Sequence, residues 1–210
     1  MTSEPDRIDL QDLPTDTAAE LSDPYCMAPD AAAELLRDLP GNRLAVLGDS
    51  VTAGVMGPLP GYHDRSFADR FTDALAATRP GFASVNLATP NLLVAEIRDR
   101  QLVPALEFEP DVVRVSAGGN DAFRGFDPDA LRADLSSLLT PLVESGALVI
   151  TTGLTHTLGG IHVATHHHPL AADPVIYAAD RVHANARGHA VTFAAIATSL
   201  SGHSRNWAAD

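Results

Sequence analysis

The sequence predicts an α/β protein of three layers, with helices on both faces of a parallel sheet of about five strands. Three observations carry this. Short apolar runs alternate with longer helix-patterned stretches from Arg43 onward, the pattern of βαβ units. At 210 residues and 22.1 kDa the chain suits one compact domain. Area scaling buries about 70% of the unfolded surface, enough for a core without staples. Three small polar motifs fall where a run ends or a helix begins, the edge at which parallel sheets hold their ligands.

Residues 1–22 are acidic and proline-punctuated and read as a flexible arm. A single domain over 23–202 and a short tail over 203–210 follow. Asp30–Leu39 reads as a helix capped by Asp30 and stopped by Pro40-Gly41. Arg43–Leu47 is the first strand. Ser66–Thr78 is a helix: Ser66 and Asp69 have capping-box spacing, and Phe67, Phe71 and Leu75 recur on one face. Phe82–Leu87 is the second strand, Leu92–Leu102 a helix stopped near Pro104, and Asp111–Ala117 the third strand. Asp127-Pro128 opens a helix carrying Leu131, Leu135, Leu138 and Leu142, with Pro141 expected to kink or shorten its last turn. Ala147–Thr152 is the fourth strand, and the last helix runs from about Asn185 to Leu200. Ile161–Thr165 looks like a fifth strand, yet Gly153–Gly160 is too short for a crossover helix. Either this run is not a parallel neighbour or it is reached differently from the others.

Lys and Arg total 14 and Asp and Glu total 27, a net charge of −13. No basic cluster is present to displace phosphate counterions, so neither nucleic acid nor an anionic membrane surface is an expected partner. The one cysteine, Cys26, excludes an internal disulfide and a Cys-based zinc site, and reads as a free thiol. No apolar run spans a bilayer and residues 1–20 lack an apolar signal core, so the default address is the cytoplasm. His166-His167-His168 reads as a solvated loop, since consecutive residues of an extended chain face opposite ways. Gly48 and Gly54 are not a phosphate loop, because the accompanying Lys-Ser/Thr pair is missing.

Gly48-Asp49-Ser50-Val51-Thr52-Ala53-Gly54 follows the first strand, Gly118-Gly119-Asn120-Asp121 the third, and Asp180-Arg181-Val182-His183 precedes the last helix. All three can meet above one sheet edge. A serine hydroxyl needs an adjacent base to act as a nucleophile. His183 can be that base for Ser50, and Asp180 can hold the other ring nitrogen. The Asn120 amide and the Ser50 backbone N–H can stabilise an oxyanion. Asp49 reads as a turn-holding residue and His189 as a packing or capping residue of the last helix. Met56, Leu59 and Tyr62 either line a substrate pocket or cover the sheet edge.

These motifs resemble the GDSL/SGNH hydrolase family of serine esterases and lipases, over about Asp23 to Leu200. The wider DPYCMAPDAAAELLRDLPGNRLAVLGDSVTAG and DRVHANARGHA resemble a cytosolic actinobacterial branch. The resemblance implies a flavodoxin-like sandwich and a small ester or thioester substrate. It implies no metal or organic cofactor. It makes Ser50 the nucleophile, Asp180 and His183 the rest of a triad, and Asn120 an oxyanion donor.

Two departures stand out. Where the family carries a glycine whose N–H joins the oxyanion hole, Asn86-Leu87-Ala88-Thr89-Pro90-Asn91 places Asn91. Asn keeps the backbone donor and tolerates a left-handed backbone; failing that, the hole is crippled. The family's helix and loop between the fourth and fifth strands are also absent. That gap could expose apolar surface, open the site, or be filled by the N-terminal arm or a second subunit, which leaves a homo-oligomer open. A catalytically silent ligand-binding protein and an acyltransferase using the same triad are the alternatives.

Overall fold

The computed structural model describes residues 17–152 and 161–207, with side chains described as far as Gly202. Five strands, β1 (Arg43–Gly48), β2 (Ala83–Asn86), β3 (Val112–Ser116), β4 (Leu148–Thr152) and β5 (Ile161–Val163), form one parallel sheet in the order β2-β1-β3-β4-β5. Side-chain alternation divides the core into two halves. Leu44, Val46, Val112 and Ile150 point to α2 (Pro29–Leu35), α3 (Phe67–Ala76) and α7 (Ala186–Trp207). Ala45, Leu47, Val113, Val115 and Val149 point to α4 (Val94–Glu107) and α6 (Pro128–Glu144). The expected three-layer sandwich is therefore the observed one.

Local chemistry starts the helices where it was expected to in two cases. The Ser66 hydroxyl accepts from Asp69 N at 3.0 Å while Ser66 N donates to the Asp69 carboxylate at 3.3 Å, a reciprocal cap. Asp127 accepts from the N–H groups of Asp129 and Ala130 at the head of α6. At α2 the expectation fails: Ala28 is the cap residue, Pro29 the first helical position, Asp30 lies inside the first turn, and the helix ends at Leu35. Proline's fixed φ suits the first turn, so it displaced the aspartate as the start.

Neither internal proline stops its helix. The Pro104 carbonyl accepts from Phe108 N and that of Pro141 from Ser145 N, so α4 and α6 continue to Glu107 and Glu144. Packing of Ala105 and Leu142 into the sheet outweighs one lost N–H donor per helix. Helix α7 likewise runs past Leu200 to Trp207, into the expected tail. Residues 17–22, expected as the end of an arm, carry α1 (Ala18–Ser22). Glu20 in it is buried and accepts from both Nη atoms of Arg70, at 2.6 and 3.0 Å. That segment packs on the loop around Gly61 and His63.

β5 is a parallel neighbour of β4. Ile161 pairs with Ile150, two residues before the end of β4, so the chain returns only about 7 Å along the strand. Residues 153–160 lie outside the described residues, but a chain of that length reaches roughly 26 Å extended. The small offset between the strands therefore keeps the return within the reach of eight residues.

One core position defies its residue type. Arg114, at the centre of β3, is fully buried, with its guanidinium 3.9 Å above the Phe67 ring and a donor 3.2 Å from the Thr152 hydroxyl. Burial pushes it down to about 9, still protonated at neutral pH. The aromatic face supplies attraction that a carboxylate would otherwise provide.

Candidate active site

β1 has β2 on one side and β3 on the other, so the order of the sheet reverses between β1 and β3. The loops leaving their carboxyl ends therefore diverge and leave a crevice. Ser50 follows β1 and Asn120 follows β3.

The turn at Ser50 is tightly held. Ala53 N donates to the Asp49 carbonyl at 2.9 Å and Val55 N to the Ser50 carbonyl at 3.0 Å. The Asp49 carboxylate accepts from Val51 N at 3.2 Å, and burial raises its pKa. Asp49 thus holds the turn, as expected. Below it, a Cβ on Gly48 would lie 2.5 Å from the Ser116 carbonyl, so only glycine fits where β1 and β3 converge. The buried Gln101 of α4 accepts from Gly48 N and donates to Gly48 O, both at 2.9 Å.

His183 reaches Ser50 from the other side. Its Nε2 is 3.0 Å from the Ser50 hydroxyl, and its Nδ1 is 2.7 Å from an Asp180 oxygen. The other Asp180 oxygen accepts from the N–H groups of Val182 and His183. Hydrogen bonding from the His183 ring and these two amides holds the Asp180 carboxyl at about 2, so it is ionised near neutrality. Asn185 anchors the loop. Its Nδ2 donates to the carbonyls of Val175 and Tyr177, and its Oδ1 accepts from Gly188 N in the first turn of α7.

The Asn120 amide donates to the Leu92 carbonyl at 3.0 Å and toward Asp49 at 3.4 Å. The second contact is at the limit of a hydrogen bond, so that N–H can turn to another acceptor. Asn91 adopts φ 69°, the left-handed backbone that its residue type tolerates. Left-handed geometry costs a typical L-residue about 1–2 kcal/mol. Arg124 donates to the Asn91 carbonyl at 3.2 Å, an exposed charged hydrogen bond that acts against part of that cost.

The remaining candidates are also placed. Met56 and Leu59 are half-buried in the loop between Ser50 and α3. Tyr62 gives its hydroxyl to Asp23 at 2.8 Å, and Asp23 also holds Arg187 of α7. That ring ties the N-terminal segment to the domain. His189 is fully buried: Nδ1 accepts from Phe67 N at the start of α3, so it packs and caps. Half-buried Cys26 has its thiol pushed up to about 12 by burial and by Asp23 and Glu20. His166 and His167 sit in a short 3-10 turn, and His168 packs edge-on to Tyr25. Among the described residues no group of three or more His, Cys, Asp or Glu could hold a metal ion. No helix there is long and apolar enough to cross a membrane.

Sequence reasoning missed Asn185, Gln101 and Arg124. The N-cap spacing of Asn185 to Gly188 was the one available signal; the other two act across distances that carry no pattern.

The structure is thus an α/β protein with a serine, an imidazole and a carboxylate in series at the switch point of its parallel sheet. The chain belongs to the GDSL-like Lipase/Acylhydrolase family, whose model matches residues 46–210. An arylesterase of Vibrio mimicus is 30% identical over 110 residues, covering 51% of this chain and 52% of that protein, so the chain spans about half of this relative. The esterase EstA of Pseudoalteromonas sp. shares the fold over 80% of this chain and 100% of its own, with a TM-score of 0.60 at 15% identity. Axe2, an acetylxylan esterase of Geobacillus stearothermophilus, does so over 76% and 94%, with a TM-score of 0.63 at 19% identity.

Proposed function

We propose that the protein hydrolyses a small carboxylic ester through an acyl-enzyme on Ser50. The observation that carries this is the unbroken series Ser50 hydroxyl, His183 ring, Asp180 carboxylate, at 3.0 and 2.7 Å. His183 Nε2 takes the hydroxyl proton as Ser50 Oγ bonds to the ester carbonyl carbon. The negative charge that forms on the carbonyl oxygen is met by the Ser50 N–H, the Asn120 amide and the Asn91 N–H. Collapse breaks the bond to the leaving alcohol, which receives the proton from His183. Water then attacks the acyl-enzyme by the same path and frees the carboxylic acid. Asp180 stays ionised throughout and fixes the ring tautomer.

The surroundings favour an ester with an apolar arm. Val55 follows the Ser50 turn, Val182 adjoins His183, and Phe123 follows Asn120 by three residues; all three are exposed. The curated relative's name, arylesterase, agrees with that reading.

The test is reaction of the protein and its Ser50→Ala variant with a fluorophosphonate label and p-nitrophenyl acetate. Labelling and turnover present in the first and lost in the second support the hydrolase. A folded protein that does neither is a silent binder. Product analysis with an added alcohol distinguishes transfer to that alcohol from hydrolysis.

A further inference from the structure

Helix α5 (Gly119–Arg124) is bounded by glycines of positive φ, Gly118 at 100° and Gly125 at 77°, and is attached along its length to the loop that carries Asn91. Asn120 donates to the Leu92 carbonyl at 3.0 Å, Asp121 accepts from Val94 N at 3.2 Å, and Arg124 donates to the Asn91 carbonyl at 3.2 Å. Three side chains of one short helix therefore grip Asn91, Leu92 and Val94 in turn. Asn120 and Asp121 act on backbone groups beyond Asn91; only Arg124 reaches Asn91 itself. A glycine at this position would enter the left-handed region freely, whereas asparagine enters it with strain.

We propose that Arg124 is a positioning residue of the oxyanion site: its hydrogen bond to the Asn91 carbonyl holds the left-handed turn that presents the Asn91 N–H. The inference rests on the reading of Asn91 as an oxyanion donor. Arg124 and Asn91 are both exposed, so replacing the arginine leaves the core intact. Arg124 also borders a cavity of about 160 Å³ with Leu93, Phe126 and Asp127, so direct contact with substrate is the rival role.

The test is a double-mutant cycle with p-nitrophenyl acetate, accompanied by backbone NMR. R124A is expected to lower kcat about tenfold with KM within about twofold, the signature of a lost transition-state interaction. In an N91G background the same change is expected to lower kcat less than about threefold, since glycine needs no support. R124K, which retains a donor, is expected to recover most of the loss. In NMR, Asn91 of R124A is expected to lose the chemical-shift signature of positive φ. Equal losses in both backgrounds, a loss confined to KM, or an unchanged kcat overturns the proposal. So does an Asn91 that keeps its positive-φ signature in R124A. The NMR arm needs no turnover. A wild-type protein that neither labels nor turns over defeats the hydrolase reading, while NMR still decides whether Arg124 holds the turn.

Discussion

Asn185 Nδ2 donates to the Tyr177 carbonyl at 3.0 Å, and Tyr177 pairs in turn with Ala184, the residue after His183. His183 thus leaves a hairpin-like loop whose base is closed by one buried amide. Gly57, in the loop after Ser50, joins the same base: its N–H donates to the Ala184 carbonyl and its carbonyl accepts from Ala186 N. The segments carrying Ser50 and His183 are thereby stitched together by backbone hydrogen bonds.

Replacing Asn185 by Ala removes three hydrogen bonds, one buried and two partly buried, and leaves two carbonyls and the Gly188 N–H without that partner. At about 1 kcal/mol each, a loss of roughly 3 kcal/mol is expected, and calorimetry should show Tm falling by about 6–12 °C. Turnover per folded molecule should fall too, because His183 loses its fixed approach to Ser50. A variant with native Tm would show that the loop is held elsewhere.

Asn120→Ala removes the side-chain donor that the proposed mechanism directs at the oxyanion. We expect kcat to drop about 10²–10³-fold with KM little changed, measured on the same ester. The variant also loses the bond to the Leu92 carbonyl, so its Tm should be recorded alongside. Full activity in Asn120→Ala would assign the hole to backbone N–H groups alone.

Stability should depend on pH through His189. Burial pushes its pKa down to about 4. In the unfolded chain an imidazole titrates near about 6.5. Between these values the unfolded state binds a proton that the folded state does not, so stability is complete above about pH 6.5 and declines as pH falls toward 4. Fully developed, the loss is on the order of 3 kcal/mol. Urea unfolding at pH 7 and pH 4.5 measures it; His189→Gln should flatten the dependence. An equal slope in the variant would place the proton on another group.

Glu20 and Arg70 form a buried pair, with side chains 6% and 9% exposed. Burial alone would raise the Glu20 carboxyl; the bonds from Arg70 and His63 N outweigh it and hold it below its ordinary value. Glu20→Ala leaves the guanidinium buried without its counter-charge, which typically costs 3–5 kcal/mol, roughly the lower figure here. Arg70 keeps bonds to the carbonyls of His63 and Arg65, which favours that end of the range. Unfolding should therefore occur at clearly lower urea, with ester turnover per folded molecule retained. Unchanged unfolding would mean that α1 detaches without consequence.

The sequence by itself determined the strand–helix alternation, the caps at Ser66 and Asp127, the three polar motifs at the sheet's edge, and Asn91 as a residue able to turn left-handed. Each depends on neighbours a few positions away, and so on chemistry that a short stretch of chain contains. Only the tertiary structure decided the rest. Pro104 and Pro141 lie within helices because core packing outweighs a lost donor. Arg114 is buried because Phe67, from another element, offers its ring face. β5 joins as a parallel strand because its offset from β4 shortens the return. Gln101, Arg124 and Asn185 hold Gly48, Asn91 and the His183 loop, and a bond from Gln101 to Gly48 spans 53 residues with no periodicity to betray it. Ser50 and His183 are 133 residues apart. Their types suggested a pair; the 3.0 Å between them comes from the sheet that carries one and the buried amide that secures the other.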